Sequence, residues 1–159
     1  MIRYVDTVVT FSEVPDEISL CINISNCPNN CKNCHSAYLS QDIGWLLNKE
    51  ELYELISENT GITCVAFMGG DKDPEELHEL IHYVRTTFPK IKICWYSGKE
   101  QIAKVALSNL QDYDYIKIGP YIEEKGPLNN KNTNQQFYKV ENNKLIDITF
   151  KFWKNEIKD

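Results

Sequence analysis

Hydrophobic and polar positions alternate from Glu17 to Ser25, with Ile18, Leu20, Ile22 and Ile24 on one side and Ser19, Cys21 and Asn23 on the other. A period of two predicts a strand. From Asn48 to Glu58 the period lengthens: Asn48 can cap, Glu50 and Glu51 suit a first turn, and Leu52, Leu55 and Ile56 make an apolar stripe. That pattern predicts a helix. Gly61 resets the chain, and the apolar run Ile62 to Met68 predicts a strand buried on both faces. Asp73 and Pro74 then open a second helix with the stripe Leu77, Leu80, Ile81 and Val84, which stops before Pro89. Ile91 to Tyr96 predicts a third strand, Lys99 to Asn109 a third helix and Tyr115 to Ile118 a fourth strand. Beyond Gly119-Pro120 the pattern changes. Gln136 to Val140 and Lys144 to Phe150, around Glu141-Asn142-Asn143, predict a hairpin, and Tyr4 to Phe11 predicts an edge strand.

Strands alternating with helices imply parallel βαβ units. The right-handed crossover preference then puts the helices on one side of a curved, mainly parallel sheet. In such sheets ligands bind at the carboxyl ends of the strands. Those ends are the loop after Ser25, then Gly69-Gly70, Ser97-Gly98 and Gly119, so one rim should gather them all.

At 159 residues the chain is long enough for one domain with a real core, expected over 1–159, with a C-terminal hairpin or extension over about 120–159. Hydrophobic residues make up 42% and charged residues 25%, as in ordinary globular proteins. Lys and Arg number 17 against 23 Asp and Glu, a net charge of −6 without a basic tract, which argues against a nucleic-acid groove. The longest apolar runs are strand-sized and too short to span a bilayer. Met1 to Leu20 carries Arg3, Asp6, Glu13, Asp16 and Glu17 and no continuous apolar stretch, so a reducing cytoplasmic setting is expected.

The chemistry concentrates in the loop 26–35, Asn26-Cys27-Pro28-Asn29-Asn30-Cys31-Lys32-Asn33-Cys34-His35. Its spacing is C-x3-C-x2-C, with no fourth cysteine close behind. Thiolates this dense converge on one soft metal or iron–sulfur centre. Three local ligands leave either a distant fourth or an open coordination position. Two other readings fit part of the loop. Cys31 to His35 matches the C-x-x-C-H attachment sequence of c-type haem, which normally requires export. A zinc site would need a histidine, but His35 directly follows Cys34, and His78 and His82 lie on a predicted helix.

Other reactive residues have plainer readings. Cys21, Cys64 and Cys94 fall inside predicted strands and read as small buried hydrophobes. His78 and His82 have the four-residue spacing of a metal pair, but no third ligand is positioned by sequence, so they read as surface or groove histidines. Trp95, Tyr113, Tyr115 and Trp153 read as packing aromatics.

Taken in order, the cysteine motif, Phe67-Met68-Gly69-Gly70-Asp71, Trp95-Tyr96-Ser97-Gly98, Gly119-Pro120-Tyr121-Ile122-Glu123-Glu124 and Thr133-Asn134-Gln135-Gln136 resemble the radical S-adenosylmethionine (SAM) activases of anaerobic, class III ribonucleoside-triphosphate reductase. The resemblance covers most of the chain. It implies a small partial (β/α) barrel with the helices on the outer side. It also implies that Cys27, Cys31 and Cys34 hold three irons of a [4Fe–4S] cluster whose fourth iron takes the amino and carboxylate groups of SAM. Gly69 and Gly70 would let backbone approach the methionyl amine, Asp71 would sit beside that amine, and Ser97 and Gly98 would border the nucleoside. Asn33 stands where many superfamily members carry an aromatic against adenine, and His35 offers a ring next to Cys34 instead. Ile118 stands where the family carries an acid. The implied activity is reductive cleavage of SAM and formation of a glycyl radical on the reductase, with a flavodoxin- or ferredoxin-type electron donor and no further catalytic side chain. Two alternatives stay open: another glycyl-radical enzyme as client, or a non-catalytic iron–sulfur or zinc module.

Overall fold

The computed structural model describes residues 1–29 and 37–153. Among the described residues eight strands and three α-helices follow the chain: β1 (Arg3–Thr10), β2 (Ser19–Ile24), β3 (Trp45–Leu46), α1 (Lys49–Glu58), β4 (Cys64–Met68), α2 (Pro74–Thr87), β5 (Lys92–Tyr96), α3 (Lys104–Leu107), β6 (Tyr115–Ile118), β7 (Gln136–Glu141) and β8 (Lys144–Asp147). All eight strands join one sheet in the order β3-β1-β2-β4-β5-β6-β7-β8.

This architecture corrects the expected fold class. The parallel pairings are confined to β2–β4, β4–β5 and β5–β6, while β1–β2, β1–β3, β6–β7 and β7–β8 are antiparallel. Four of the seven pairings are therefore antiparallel, in a mixed sheet rather than a helix-decorated parallel barrel. The reason lies in the connections. A parallel neighbour needs a long crossover, and the chain makes three of these, through α1, α2 and α3. β1 reaches β2 through a loop alone, and β7 turns into β8 through Asn142-Asn143, both at positive φ (52° and 60°) as a two-residue hairpin requires.

The first two helices start where expected. The Asn48 side chain accepts from Glu51 N at 2.9 Å, and the Asp73 carboxylate accepts from Glu76 N at 3.2 Å. The third departs from expectation: a helix over Lys99 to Asn109 is cut to the single turn α3 followed by a 3-10 turn at Leu110–Asp112. Its N-cap is Ala103, which offers no side-chain acceptor, and the Lys99 carbonyl accepts instead from Gly119 N at 2.6 Å. The end of β6 thus claims the residue that would have begun the helix.

Each face of the sheet carries its own core. Leu20, Ile22, Val65, Phe67, Ile93, Trp95 and Ile116 point to the helices and meet Leu52, Ile56, Leu77, Ile81 and Val84. On the opposite face Cys21, Cys64, Ala66, Cys94 and Tyr115 are covered by Val14, Leu128, Phe137 and Ile148, with Phe152 packed beside them. Small side chains in the central strands leave room for the bulky covering residues. Burial in this second core raises the thiols. Cys21 is pushed up to about 12, and Cys64 and Cys94 are also raised, in every case chiefly by desolvation of the charged form.

Two outcomes follow for these thiols. Iodoacetamide at mildly alkaline pH should leave Cys21, Cys64 and Cys94 unmodified in the native chain and modify all three after unfolding, as read by peptide mass mapping. Each native thiol also keeps its proton to higher pH than the unfolded chain does, whose thiols ionise near 9.0. The stabilisation is therefore complete below pH 9 and is lost between about 9 and 12 for Cys21, at about 1.4 kcal/mol per pH unit for each such thiol. Tyr96, Tyr113 and Tyr115, raised mainly by burial, act in the same direction above pH 10. A denaturation midpoint that stays flat from pH 8 to pH 11 would contradict this account.

Candidate functional site

The carboxyl ends of the parallel strands bound a cavity of about 190 Å³. Its floor is one row of the sheet: Asn23 pairs with Met68, Met68 with Tyr96, and Tyr96 with Lys117, and all four line the cavity. The row beneath on the same face is Cys21, Ala66, Cys94 and Tyr115. The face thus changes from small and apolar to polar within one pleat of the rim.

The loops above the floor bring together five of the six sequence-predicted residues that are described. Cys27, Gly69, Asp71, Ser97 and Gly98 all line the cavity. Cys31, Asn33, Cys34 and His35 lie outside the described residues. The Cys27 backbone is anchored by its N–H to Leu39 O at 2.7 Å, just after Asn26 N–H bonds Gln41 O at 2.8 Å. Asn26 has φ of 61°, a left-handed conformation that asparagine tolerates and that turns the chain out of β2.

Asp71 joins the loops. Its Oδ1 accepts from Ser97 Oγ at 2.6 Å, and its Oδ2 accepts from the Gly98 N–H at 2.7 Å and from Asn29 Nδ2 at 2.8 Å. One carboxylate after β4 therefore holds the turn after β5 and the cysteine loop after β2. Bonds to a charged acceptor are the strong ones. Asn29 was legible only as a spacer between cysteines, yet its amide also reaches Cys27 Sγ at 3.5 Å. Gly98 is glycine because of this amide: a Cβ there would lie 2.5 Å from Asn29 Nδ2.

The two glycines after β4 divide their work. Gly69 lines the cavity at φ 122°, donates its N–H to Tyr96 O at 3.1 Å and accepts at its carbonyl from Trp95 Nε1 at 2.8 Å. Gly70, at φ 100°, faces the other way. A Cβ there would lie 2.6 Å from Leu77 Cδ2, so it lets α2 close against the sheet, and it borders a separate cavity with Asn26 and Asp73.

Sequence reasoning passed over Lys117, the one charged residue in the strand Tyr115 to Ile118. It is buried, and its Nζ donates to Ser97 O at 3.1 Å and Gly119 O at 2.8 Å while lying 5.7 Å from the centre of the Tyr96 ring. A lysine inside an otherwise apolar strand was the available signal. Gly119 and Gln135 also line the cavity, and Gly119 at φ 106° brings its missing Cβ to 2.9 Å from Gln135 Cα. The segments 119–124 and 133–136 therefore meet at the rim, tied further by Asn134 Nδ2 to Pro120 O at 3.0 Å.

The donor chemistry suits an iron–sulfur group. Cys27 presents a soft sulfur at the cavity, with an amide N–H directed at it, and such hydrogen bonds tune the centres that thiolates hold. The buried thiols Cys21, Cys64 and Cys94 stand apart from this edge, within the second core. Compared with known proteins, the chain matches the family model described as "4Fe-4S single cluster domain" over residues 18–147, most of its length. No curated protein and no solved structure matches it.

Three substitutions test the geometry. Asp71→Ala should destabilise the chain by about 2–3 kcal/mol, since it removes the acceptor of three hydrogen bonds. Gly98→Ala should displace the Asn29 amide and change the alkylation rate of Cys27, with a stability loss of only about 1 kcal/mol. Gly70→Ala should cost about 2–4 kcal/mol through its positive φ and the clash with Leu77, with Cys27 reactivity unchanged. Chemical denaturation and thiol-alkylation kinetics read all three.

Proposed function

The chain belongs to the family of 4Fe-4S single cluster domains, and from that premise we propose that it is a radical SAM activase whose client is an anaerobic ribonucleoside-triphosphate reductase. The observation that carries the reading is the convergence of Cys27, Gly69, Asp71, Ser97 and Gly98 on one cavity at the carboxyl edge. A purely electron-carrying domain needs the thiolates but has no use for a glycine turn and a hydrogen-bonded carboxylate beside them.

Cys27, Cys31 and Cys34 would hold the cluster. When bound, the cluster supplies the electron that cleaves SAM reductively, so that hydrogen is taken from a glycine of the client. The chain's own residues bind and orient. Gly69 exposes backbone at the cavity wall, where a substrate amine can approach without meeting a side chain. Asp71 and Lys117 set a carboxylate and an ammonium on the same cavity, a pairing that complements a ligand bearing both an amino and a carboxylate group. Ser97 and Gly98 are held by Asp71 at the strand end where the nucleoside would lie. No general base is needed, and the protein supplies position and electrostatics. A flavodoxin- or ferredoxin-type protein would deliver the electron, and the client's glycyl-radical loop would dock at the rim.

Anaerobic reconstitution should load about four irons per chain, and SAM should alter the EPR spectrum of the reduced state. Cys27→Ala should abolish SAM cleavage. Mixed with the reductase, SAM and a reductant, the chain should generate a doublet EPR signal on the reductase that is lost when its radical-site glycine is replaced. An iron–sulfur spectrum indifferent to SAM would leave an electron-transfer domain and overturn the activase. A signal on another glycyl-radical enzyme alone would overturn the client.

A further inference from the structure

The sheet ends in two edges, and they are built differently. β8 is four residues long and carries Lys144 and Asp147, charges that discourage a further strand. At the other end β3 pairs only with Arg3 and Tyr4. Asp6 to Thr10 therefore pair with β2 on one side and, among the described residues, with no strand on the other. This open stretch holds no lysine and no proline, the residues that usually blunt an edge. The bulge in the β1 ladder lies between Tyr4 and Asp6, where the stretch begins. We propose that this edge of β1 is a dimer interface, at which β1 of a second copy of the chain adds antiparallel and joins two sheets into one.

Exposure on both faces calls for a strand rather than a covering helix. Val8 pairs with Cys21 on the second-core face and Val9 with Leu20 on the helix face, yet they are 52% and 46% exposed. A strand added at the edge shields both at once and takes up the open backbone groups. Self-complementarity singles out a second copy. Because β3 occupies the edge at Tyr4, the fullest register sets Asp6 opposite Thr10 of the copy, Thr7 opposite its Val9 and Val8 opposite its Val8. The same patch then meets itself about a twofold axis at Val8. Its pairs are a carboxylate with a hydroxyl and β-branched residues with one another, which favour cross-strand contact. The two Asp6 carboxylates stand four residues apart along the strands, roughly 13 Å, beyond the screening length of physiological salt. The ends of the stretch fit as well. Phe11 and Trp45 are 75% and 66% exposed. The register brings Phe11 of the copy opposite Val5, next to the Tyr4 that pairs with Trp45, so the two aromatics meet at each end. Two strand edges and four rings bury under about 1,200 Å², a size at which association is weak and depends on concentration.

Sedimentation velocity on the full chain, under anaerobic reducing conditions so that no disulfide contributes, tests the interface. Monomer should give way to dimer over roughly a hundredfold rise in concentration. Amide hydrogen exchange of Asp6 to Thr10 should slow in step. Val8→Lys sets two ammonium groups face to face on the axis and should weaken association about tenfold or more. Val8 is half exposed, so the monomer keeps its fold. Thr10→Lys places an ammonium opposite Asp6 of the copy and should preserve or tighten the dimer. A chain that stays monomeric throughout, a dimer that Val8→Lys leaves intact, or a Thr10→Lys as disruptive as Val8→Lys would overturn the proposal. So would protection of Asp6 to Thr10 that appears only when the reductase is added, which would give the edge to a strand of that protein. None of these readouts depends on SAM cleavage or on the cluster.

Discussion

The rim is organised by a single carboxylate. Parallel strands deliver their carboxyl ends to one edge, but the loops that follow have no reason of their own to stay together. Asp71 supplies that reason, because β4 lies between β2 and β5 and its loop can reach both sides. Ser97 Oγ, Gly98 N and Asn29 Nδ2 all converge on it, so the position of Cys27 depends on a residue forty-four places later. The surrounding glycines serve this arrangement. Gly98 admits the asparagine amide, and Gly70 lets Leu77 of α2 pack against the turn that carries Asp71.

The same sheet separates two kinds of cysteine. Cys21 and Cys94 lie on one row between Val14, Tyr115 and Phe137, where desolvation keeps their protons on. Cys27 is six residues beyond the first of these, past a left-handed turn at Asn26 and on the polar rim. A few residues of chain thus convert a packing thiol into a candidate ligand. Nothing about the cysteine itself differs; only water and neighbouring dipoles do.

Local pattern carried the parallel half of the sheet and the rim. Strand and helix periods, the Asn48 and Asp73 caps and the punctuating glycines all act within a few residues, and α1, α2 and the strands from β2 to β6 follow them. Of the antiparallel additions the β7–β8 hairpin was legible from its turn, but the places of β1 and β3 were not, because the sequence shows strands without showing their neighbours. β3 is two residues long, and β1 gains its place from pairing alone. The shortened α3 shows a tertiary bond winning over helical propensity, since Gly119 N takes the Lys99 carbonyl. Asn29 was missed for the same reason. Its partner Asp71 is 42 residues away, and no spacing rule connects them.

Replacing a parallel barrel by a mixed sheet still gathers the described rim residues on one cavity, and the register shows why. The row Asn23, Met68, Tyr96, Lys117 crosses β2, β4, β5 and β6, the strands whose mutual pairings are parallel. Every cavity residue named above sits on that row or in the loops directly after it, apart from Gln135. The antiparallel strands lie outside this set, β3 and β1 on one side, β7 and β8 on the other. They complete the sheet, and β7 contributes Phe137 to the second core. A rim of this kind needs adjacent parallel strands in register and a group that binds their loops together. It does not need closure, so the site can be read from β2 to β6 alone.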